Sequence, residues 1–443
     1  MHFKISSPGP LVGKTRVPGD VRLTLTTLAI GMLSRQEITI TNPSPSPDVA
    51  DFLRFLERYG AVIDHSNDSI TFCGKEFKDD VLIDKDVPDS IIHCIISPAV
   101  FSARSVTIAD GAGNRSHAVK LLLDLLKTVG LVDENISEDG KNIIVSGAVF
   151  SPPEVVQVDS AWAFEAVIAA AASGNPVVIS YPALAVTHVL RLLTVLGFHI
   201  TLPETTHDKT IEISRRLSRA AGEKSYAVRT FEWSDKQGGV IKIPGDSTIA
   251  AAVCGAASLL QRSDVTVEGV IWEQGRRGFF DALRRMKVHI EWEPDKNNHS
   301  FDSASIRVKW SKSEGIHVSS DQVFSMSSEI LILSAVAVYA SGTTVISNAR
   351  AFPGFGRDTF TLFARGLETL GAHAGDFSEG IVLHGVQELR GDFVDTGGNS
   401  DVALALAVAA LNASGTTTIA GFEGNEYSAG GFLQIIKELK FEL

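Results

Sequence analysis

The chain has 443 residues, 44% of them hydrophobic and 21% charged, with 16 prolines. That balance excludes a disordered or collagen-like chain, and the length exceeds what one ordinary core fills. Lysines and arginines number 40 against 52 acids, a formal charge of −12, which argues against a general binder of nucleic acid or anionic membrane, because those partners are held by a surplus of cations. Cys73, Cys94 and Cys254 are far apart and odd in number, so neither a disulfide framework nor a zinc ribbon is expected, and a reducing cytoplasm is the expected setting. Residues 1–6 contain no apolar run, and runs such as 402–411 are too short to span a bilayer.

From the N-terminus onward two phrases alternate. The first is an Ala/Ser/Leu-rich stretch that passes through a small or polar break into a short β-branched strand. It ends at Ile40, Ile108, Ile179, Val267, Ile346 and Ile419. The second is an amphipathic helix with apolar residues three and four apart, closed by a small position and followed by a strand. Its copies cover 52–63, 122–131, 190–200, 280–290, 363–372 and 432–443. Six interleaved copies of about 74 residues each imply units that cannot bury their apolar faces alone and pack around shared cores.

Two near-identical tetrapeptides, Val17-Pro18-Gly19-Asp20 and Ile243-Pro244-Gly245-Asp246, each open an Ala/Thr/Leu-rich helix. Pro-Gly turns the chain sharply and Asp suits a helix N-cap. Three repeats lie between these marks and three after the second. The expected layout is α/β, with an inserted domain over 20–245 and a discontinuous domain from 1–19 plus 246–443. The polar segment 215–239 lacks periodicity and is expected to be a surface loop.

Gly9-Pro10-Leu11-Val12-Gly13-Lys14-Thr15-Arg16-Val17-Pro18-Gly19-Asp20, Pro45-Ser46-Pro47-Asp48-Val49-Ala50-Asp51, the stretch 340–371 and Gly397-Gly398-Asn399-Ser400-Asp401 with its Ala-rich helix closely resemble the EPSP synthase (3-phosphoshikimate 1-carboxyvinyltransferase) family. The resemblance runs nearly end to end. It implies the enolpyruvyl-transferase fold, an inside-out α/β barrel in two domains of three βαβαββ repeats, joined by two crossovers and closing over small-molecule ligands in an interdomain cleft. It also implies a monomer, with neither metal nor other cofactor.

The family's polar motifs map less faithfully. Its Gly-Asp-Lys-Ser opening becomes Gly19-Asp20-Val21-Arg22, and the arginine that grips the substrate carboxylate falls on Thr26. The Gly-Asn-Ala-Gly-Thr segment and its following arginine fall on Asp89-Ser90-Ile91-Ile92-His93. The Arg-Pro arginine becomes His117, and Ser-Ser-Gln becomes Ser160-Ala161-Trp162. The catalytic aspartate aligns with Ser328, next to Glu329, and Lys-Glu-Ser/Thr-Asp-Arg aligns with Phe355-Gly356-Arg357-Asp358-Thr359. Asp-His-Arg becomes Asn399-Ser400-Asp401, a late lysine becomes Tyr427, and Asp48 is kept.

Five positions that are cationic in the family (Val21, His117, Thr359, Asp401 and Tyr427) thus carry no permanent positive charge. Each charge-assisted bond to a phosphate or carboxylate contributes roughly 1.5–3 kcal/mol, so phosphoenolpyruvate loses many powers of ten in affinity. Val21, Thr26 and Ala161 fit simple decay of a site, whereas Arg22, Asp89, His93, His117, Trp162 and Asp401 keep ionisable or hydrogen-bonding chemistry, as in a site rebuilt for another reaction.

If the site is rebuilt, His93 or His117 acts as acid or base, oriented by Asp89 or Asp48. Arg22 and Arg115 hold a carboxylate or phosphate, Trp162 stacks on a ring, and Ser160, Ser328, Glu329, Arg357 and Asp401 complete the substrate contacts. The reaction is then an addition or elimination on a hydroxylated carboxylate ring, shikimate-like. Two further readings stand beside this one: a non-catalytic ligand-binding or scaffold paralogue, and a residual enolpyruvyl transferase. Dinucleotide, P-loop, H-E-x-x-H and G-x-S-x-G signatures have no match.

Overall fold

A computed structural model describes residues 2–32, 37–66, 68–73, 79–102, 105–109, 116–129, 136–138, 142–146, 156–157, 177–182, 187–196, 199–201, 226–232, 239–296, 298–323, 325–326, 328–349, 359–377, 380–385, 388–421 and 426–440. The chain divides into two compact units, Met1–Pro18 with Pro244–Leu443, and Gly19–Ile243. Among the described residues each unit contains three small sheets.

One pairing rule governs all six sheets. The strand that ends each Ala-rich phrase is central, with a parallel neighbour on one side and an antiparallel neighbour on the other. In the second unit Glu37–Thr41 lies between Gly239–Lys242 (parallel) and Ser69–Cys73 (antiparallel). Ser105–Ala109 lies between Asp80–Ile83 and Asn142–Ser146, and Val177–Pro182 between Val156–Gln157 and Tyr226–Glu232. In the first unit Asp264–Ile271 lies between Val12–Arg16 and Ser303–Lys309. Thr343–Ser347 lies between His317–Val318 and Gly380–His384. Thr416–Ala420 lies between Phe393–Asp395 and the N-terminal strand Phe3–Ser6.

Tyr226–Glu232 corrects the expectation of a surface loop over 215–239. This strand pairs antiparallel with Val177–Pro182 and with His199–Thr201. Its Val, Thr, Phe and Tyr residues have strand propensity, and four of its seven residues are β-branched or aromatic. The polarity of the residues around them hides that signal from a window average.

In the first unit the helices Ser247–Leu259, Glu329–Ala337 and Ser400–Ala410 pack on one another in pairs and against the sheets. Almost every residue of the three is buried. They are apolar on all sides, as a helix must be when it is surrounded by protein. The sheets are buried on one face only, as in the alternating pattern of Thr343–Ser347, so their apolar faces close the core around the helices. Gly255 sits where the three helices meet. A Cβ there would lie 3.3–3.5 Å from Val336, Ile332 and Val408. In the second unit, Val21–Gly31 packs on Asp89–Ser102 in the same manner.

The two Pro-Gly-Asp marks lie at the boundaries between the two units, and each ends in a helix cap. The Asp20 carboxylate accepts the Leu23 N–H at 2.9 Å, and Asp246 accepts those of Thr248 and Ile249 at 2.8 and 3.0 Å. Gly19 is required by space: a Cβ there would stand 2.0 Å from the Asn42 carbonyl oxygen, which is backbone and cannot swing away. Gly19→Ala is therefore expected to cost about 1–3 kcal/mol by overpacking, read as a lower urea midpoint with an unchanged m-value. Among the described residues no helix is long and apolar enough to cross a membrane.

Candidate functional site

In the first unit the N-termini of the three central helices carry a linked set of polar side chains. Asp246 caps Ser247–Leu259, so the next two residues, Ser247 and Thr248, face the start of the neighbouring helix. The Ser247 hydroxyl donates to the Glu329 carboxylate (Oε1) at 2.7 Å and the Thr248 hydroxyl donates to the same oxygen at 3.1 Å. Glu329 is only 3% exposed. Arg276 Nη2 donates to Ser247 Oγ at 2.8 Å, so one hydroxyl relays between a guanidinium and a buried carboxylate.

Arg276 is held by a short 3₁₀ turn, Gln274–Arg276. The buried Glu273 before it accepts the Asp302 N–H at 3.2 Å, and the Gly278 N–H after it donates to Ser325 O at 3.1 Å. These two anchors fix the base of the Arg276 side chain.

The third helix brings Asp401. Asn399 caps it, its Oδ1 accepting the N–H groups of Asp401 and Val402 at 3.1 and 3.0 Å, while its Nδ2 donates to the Thr359 hydroxyl at 3.2 Å. Ser328, at the start of Glu329–Ala337, makes no capping bond with its own helix; its hydroxyl is engaged by the Asp401 carboxyl instead. Loss of water around Asp401 pushes its carboxyl above the ordinary aspartate range; the Ser328 hydroxyl pulls it partly back, and the nearby Glu329 charge adds a weaker push upward.

The cluster is therefore made of carboxyls and hydroxyls, with Arg276 as the cation joined to it. It can accept hydrogen bonds from several hydroxyl groups at once, it favours a proton on Asp401, and it repels a dense anion. Because the folded chain holds that proton more tightly than the unfolded chain, Asp401 costs stability as pH rises above the ordinary aspartate pKa of about 3.9. Asp401→Asn is thus expected to melt higher than the parent at pH 7, with the gain vanishing near pH 3. Scanning calorimetry across that range checks it.

Of the residues singled out in the sequence, Ser328, Glu329 and Asp401 come together here, with Thr359 on the next cap. Tyr427 is half-buried against the core in the helix Glu426–Leu439. In the second unit, Arg22 is exposed as the second residue of Val21–Gly31, and its carbonyl accepts the Thr26 hydroxyl at 2.7 Å. Thr26 is fully buried, a neutral side chain whose hydrogen bond is satisfied within its own helix. Asp48 lies half-buried in the first turn of Pro47–Arg58. Asp89 and His93 lie on the backbone of Asp89–Ser102, and His117 on that of Ser116–Val129. Their side chains, and Arg115, Ser160, Trp162 and Arg357 altogether, lie outside the described residues.

Ser247, Thr248 and Arg276 were missed by sequence reasoning. The signal for the first two was present, since they directly follow the second Pro-Gly-Asp, whose first copy opens a polar family motif. Among the described residues no group of three or more His, Cys, Asp or Glu side chains is placed to hold a metal ion.

The model of the EPSP synthase (3-phosphoshikimate 1-carboxyvinyltransferase) family matches residues 5–434. The chain belongs to the EPSP synthase family. Among curated relatives, the 3-phosphoshikimate 1-carboxyvinyltransferase of Desulforamulus reducens is 29% identical over 243 residues, 55% of this chain and 57% of that one. That of Desulforudis audaxviator is 25% identical over 452 residues, covering 100% of each chain. Among solved structures, an EPSP synthase from Acinetobacter baumannii superposes with a TM-score of 0.77 at 19% identity, covering 99% of this chain and 98% of that one. The enolpyruvyl transferase NikO from Streptomyces tendae does so at 0.72 and 16%, covering 98% and 96%. The fold of this family member is therefore the enolpyruvyl-transferase fold.

Proposed function

We propose that this EPSP synthase family member is an enzyme of altered chemistry, carrying out an addition or elimination on a hydroxylated carboxylate ring of shikimate type, without orthodox transfer from phosphoenolpyruvate. The observation that carries this reading is the replacement of a family arginine by Asp401, whose carboxyl is pushed toward its protonated form within a set of hydroxyls and a buried glutamate. An unphosphorylated ring bearing several hydroxyls suits those acceptors. A phosphorylated one does not, because Val21, Thr26, Thr359 and Asp401 offer its charges no cation.

In this reading Ser328, Glu329 and Asp401 receive the ring hydroxyls. His93 or His117 moves the proton, with Asp89 or Asp48 fixing its tautomer. Arg22 or Arg115 holds the ring carboxylate, Trp162 covers the ring face, and Ser160 and Arg357 finish the pocket. Elimination of water from such a ring needs a base to take the proton beside the carboxylate and an acid to protonate the leaving hydroxyl. A histidine and a carboxyl whose burial favours its protonated form supply that pair.

The test is proton NMR of the purified protein in deuterated buffer with shikimate, quinate and related unphosphorylated hydroxy acids. Exchange of the ring proton or appearance of an alkene signal, lost in His93→Ala or His117→Ala, is the expected result. Binding of these acids without any exchange in the wild type would favour the non-catalytic paralogue. Neither binding nor exchange across the panel would overturn both.

A further inference from the structure

At the C-terminal end of the Ser400–Ala410 helix, roughly 15 Å from Asp401 at 1.5 Å rise per residue, the first unit carries a second, separate feature. Among the described residues the sheet containing Phe3–Ser6 has three strands where the other five sheets have four, and Phe3–Ser6 is its edge. The last helix, Glu426–Leu439, packs on the Ser400–Ala410 and Ser247–Leu259 helices. Between the edge strand and this last helix opens a pocket of about 310 Å³, whose wall includes Leu411, the residue that closes the Ser400–Ala410 helix.

The pocket has two kinds of surface. Phe3, Leu433 and Ile436 give it apolar walls, and Lys4, Lys437 and Lys440 line it with no acidic residue among its described lining. Lys4, Lys437 and Lys440 make no ion pair with any described residue. A lysine in the last turn of a helix is an ordinary complement to the helix dipole, and Lys437 alone would need no further account. Lys4 on the edge strand, Lys437 in the last helix and Lys440 just past it line one concavity in a chain with a formal charge of −12, which the helix dipole alone does not explain. A carboxylate in the pocket would have these ammonium groups along the lining to pair with.

We propose that this pocket binds a small organic acid, one carboxylate on an apolar body about the size of a benzoate, with the lysines holding the carboxylate and the apolar walls covering the body. The volume is at the lower end of the range for small-molecule sites, which suits a ligand of that size and excludes a nucleotide. A single carboxylate shared among flexible, hydrated ammonium groups gives binding that weakens with salt. This site is independent of the chemistry proposed at Asp401.

The probe is 4-fluorobenzoate, observed by fluorine NMR with the full-length protein, with 4-fluorobenzyl alcohol as its uncharged counterpart. The expected result is saturable line broadening of the acid and none of the alcohol at equal concentration. Reversing charge in the Lys437→Glu, Lys440→Glu double variant is expected to weaken the acid at least tenfold. Gly430→Leu, which places a side chain on the pocket wall from within the helix, is expected to abolish binding while the circular dichroism stays native. Absence of saturable broadening, equal broadening by the alcohol, or unchanged affinity in both variants would overturn the proposal.

Discussion

Glu329→Ala is expected to lower the melting temperature more than any other single change in the cluster, by roughly 5–12 °C. The carboxylate is 3% exposed and accepts two hydroxyl bonds at 2.7 and 3.1 Å. Removing it leaves the buried Ser247 hydroxyl without its acceptor, deprives Arg276 of the negative charge at the far end of its relay, and opens a void between three packed helices. Missing acceptors and cavity together cost about 2–4 kcal/mol. Glu329→Gln keeps the shape and one acceptor oxygen, so its loss is expected to be about 1 kcal/mol at pH 7. It also removes the charge that pushes Asp401 upward, so the pH-dependent gain from Asp401→Asn should shrink when combined with Glu329→Gln without vanishing, because loss of water is the larger cause. Calorimetry of the two single variants and the double variant measures that coupling.

Phosphate release from phosphoenolpyruvate and shikimate 3-phosphate is expected to stay at the uncatalysed background. Each missing bond from a cation to a phosphate or carboxylate oxygen removes about 1.5–3 kcal/mol, and each 1.4 kcal/mol is tenfold. Val21, Thr26, Thr359 and Asp401 are all described, and none is a cation; Thr26 and Thr359 are buried, with Thr26 bonded to the Arg22 carbonyl and Thr359 to Asn399. Three such bonds already amount to more than about three powers of ten. A continuous phosphate assay at millimolar substrate measures this directly. Restoring one charge by Asp401→Arg is expected to leave the assay at background, since the remaining positions stay neutral.

The repeat architecture was legible because each of its two phrases combines a periodicity with a chain-reversing residue. The strands Glu37–Thr41, Ser105–Ala109, Val177–Pro182, Asp264–Ile271, Thr343–Ser347 and Thr416–Ala420 fall where the Ala-rich phrases end. The caps at Asp20 and Asp246 follow from Pro-Gly-Asp. Tyr226–Glu232 was hidden because its strand signal is seven residues long within a polar stretch.

In the site, Ser328, Glu329 and Asp401 were found because they occupy mapped positions of family motifs. Arg276 was not, because it reaches Ser247 from 29 residues away, and Ser247 reaches Glu329 across 82. No local pattern encodes such contacts; they exist only once three helices, each unremarkable in sequence, start from the same level of the core. The upward push on Asp401 has the same origin, since it depends on burial and on a neighbour from another helix.

Central to the functional reading is that this family member has exchanged an anion site for one that prefers hydroxyl groups. Equilibrium titration of the wild-type protein with phosphoenolpyruvate at low ionic strength, followed by calorimetry, tests it most directly. No saturable heat up to millimolar ligand is the expected result. Saturable binding in the micromolar range, strengthened by shikimate 3-phosphate, would contradict it.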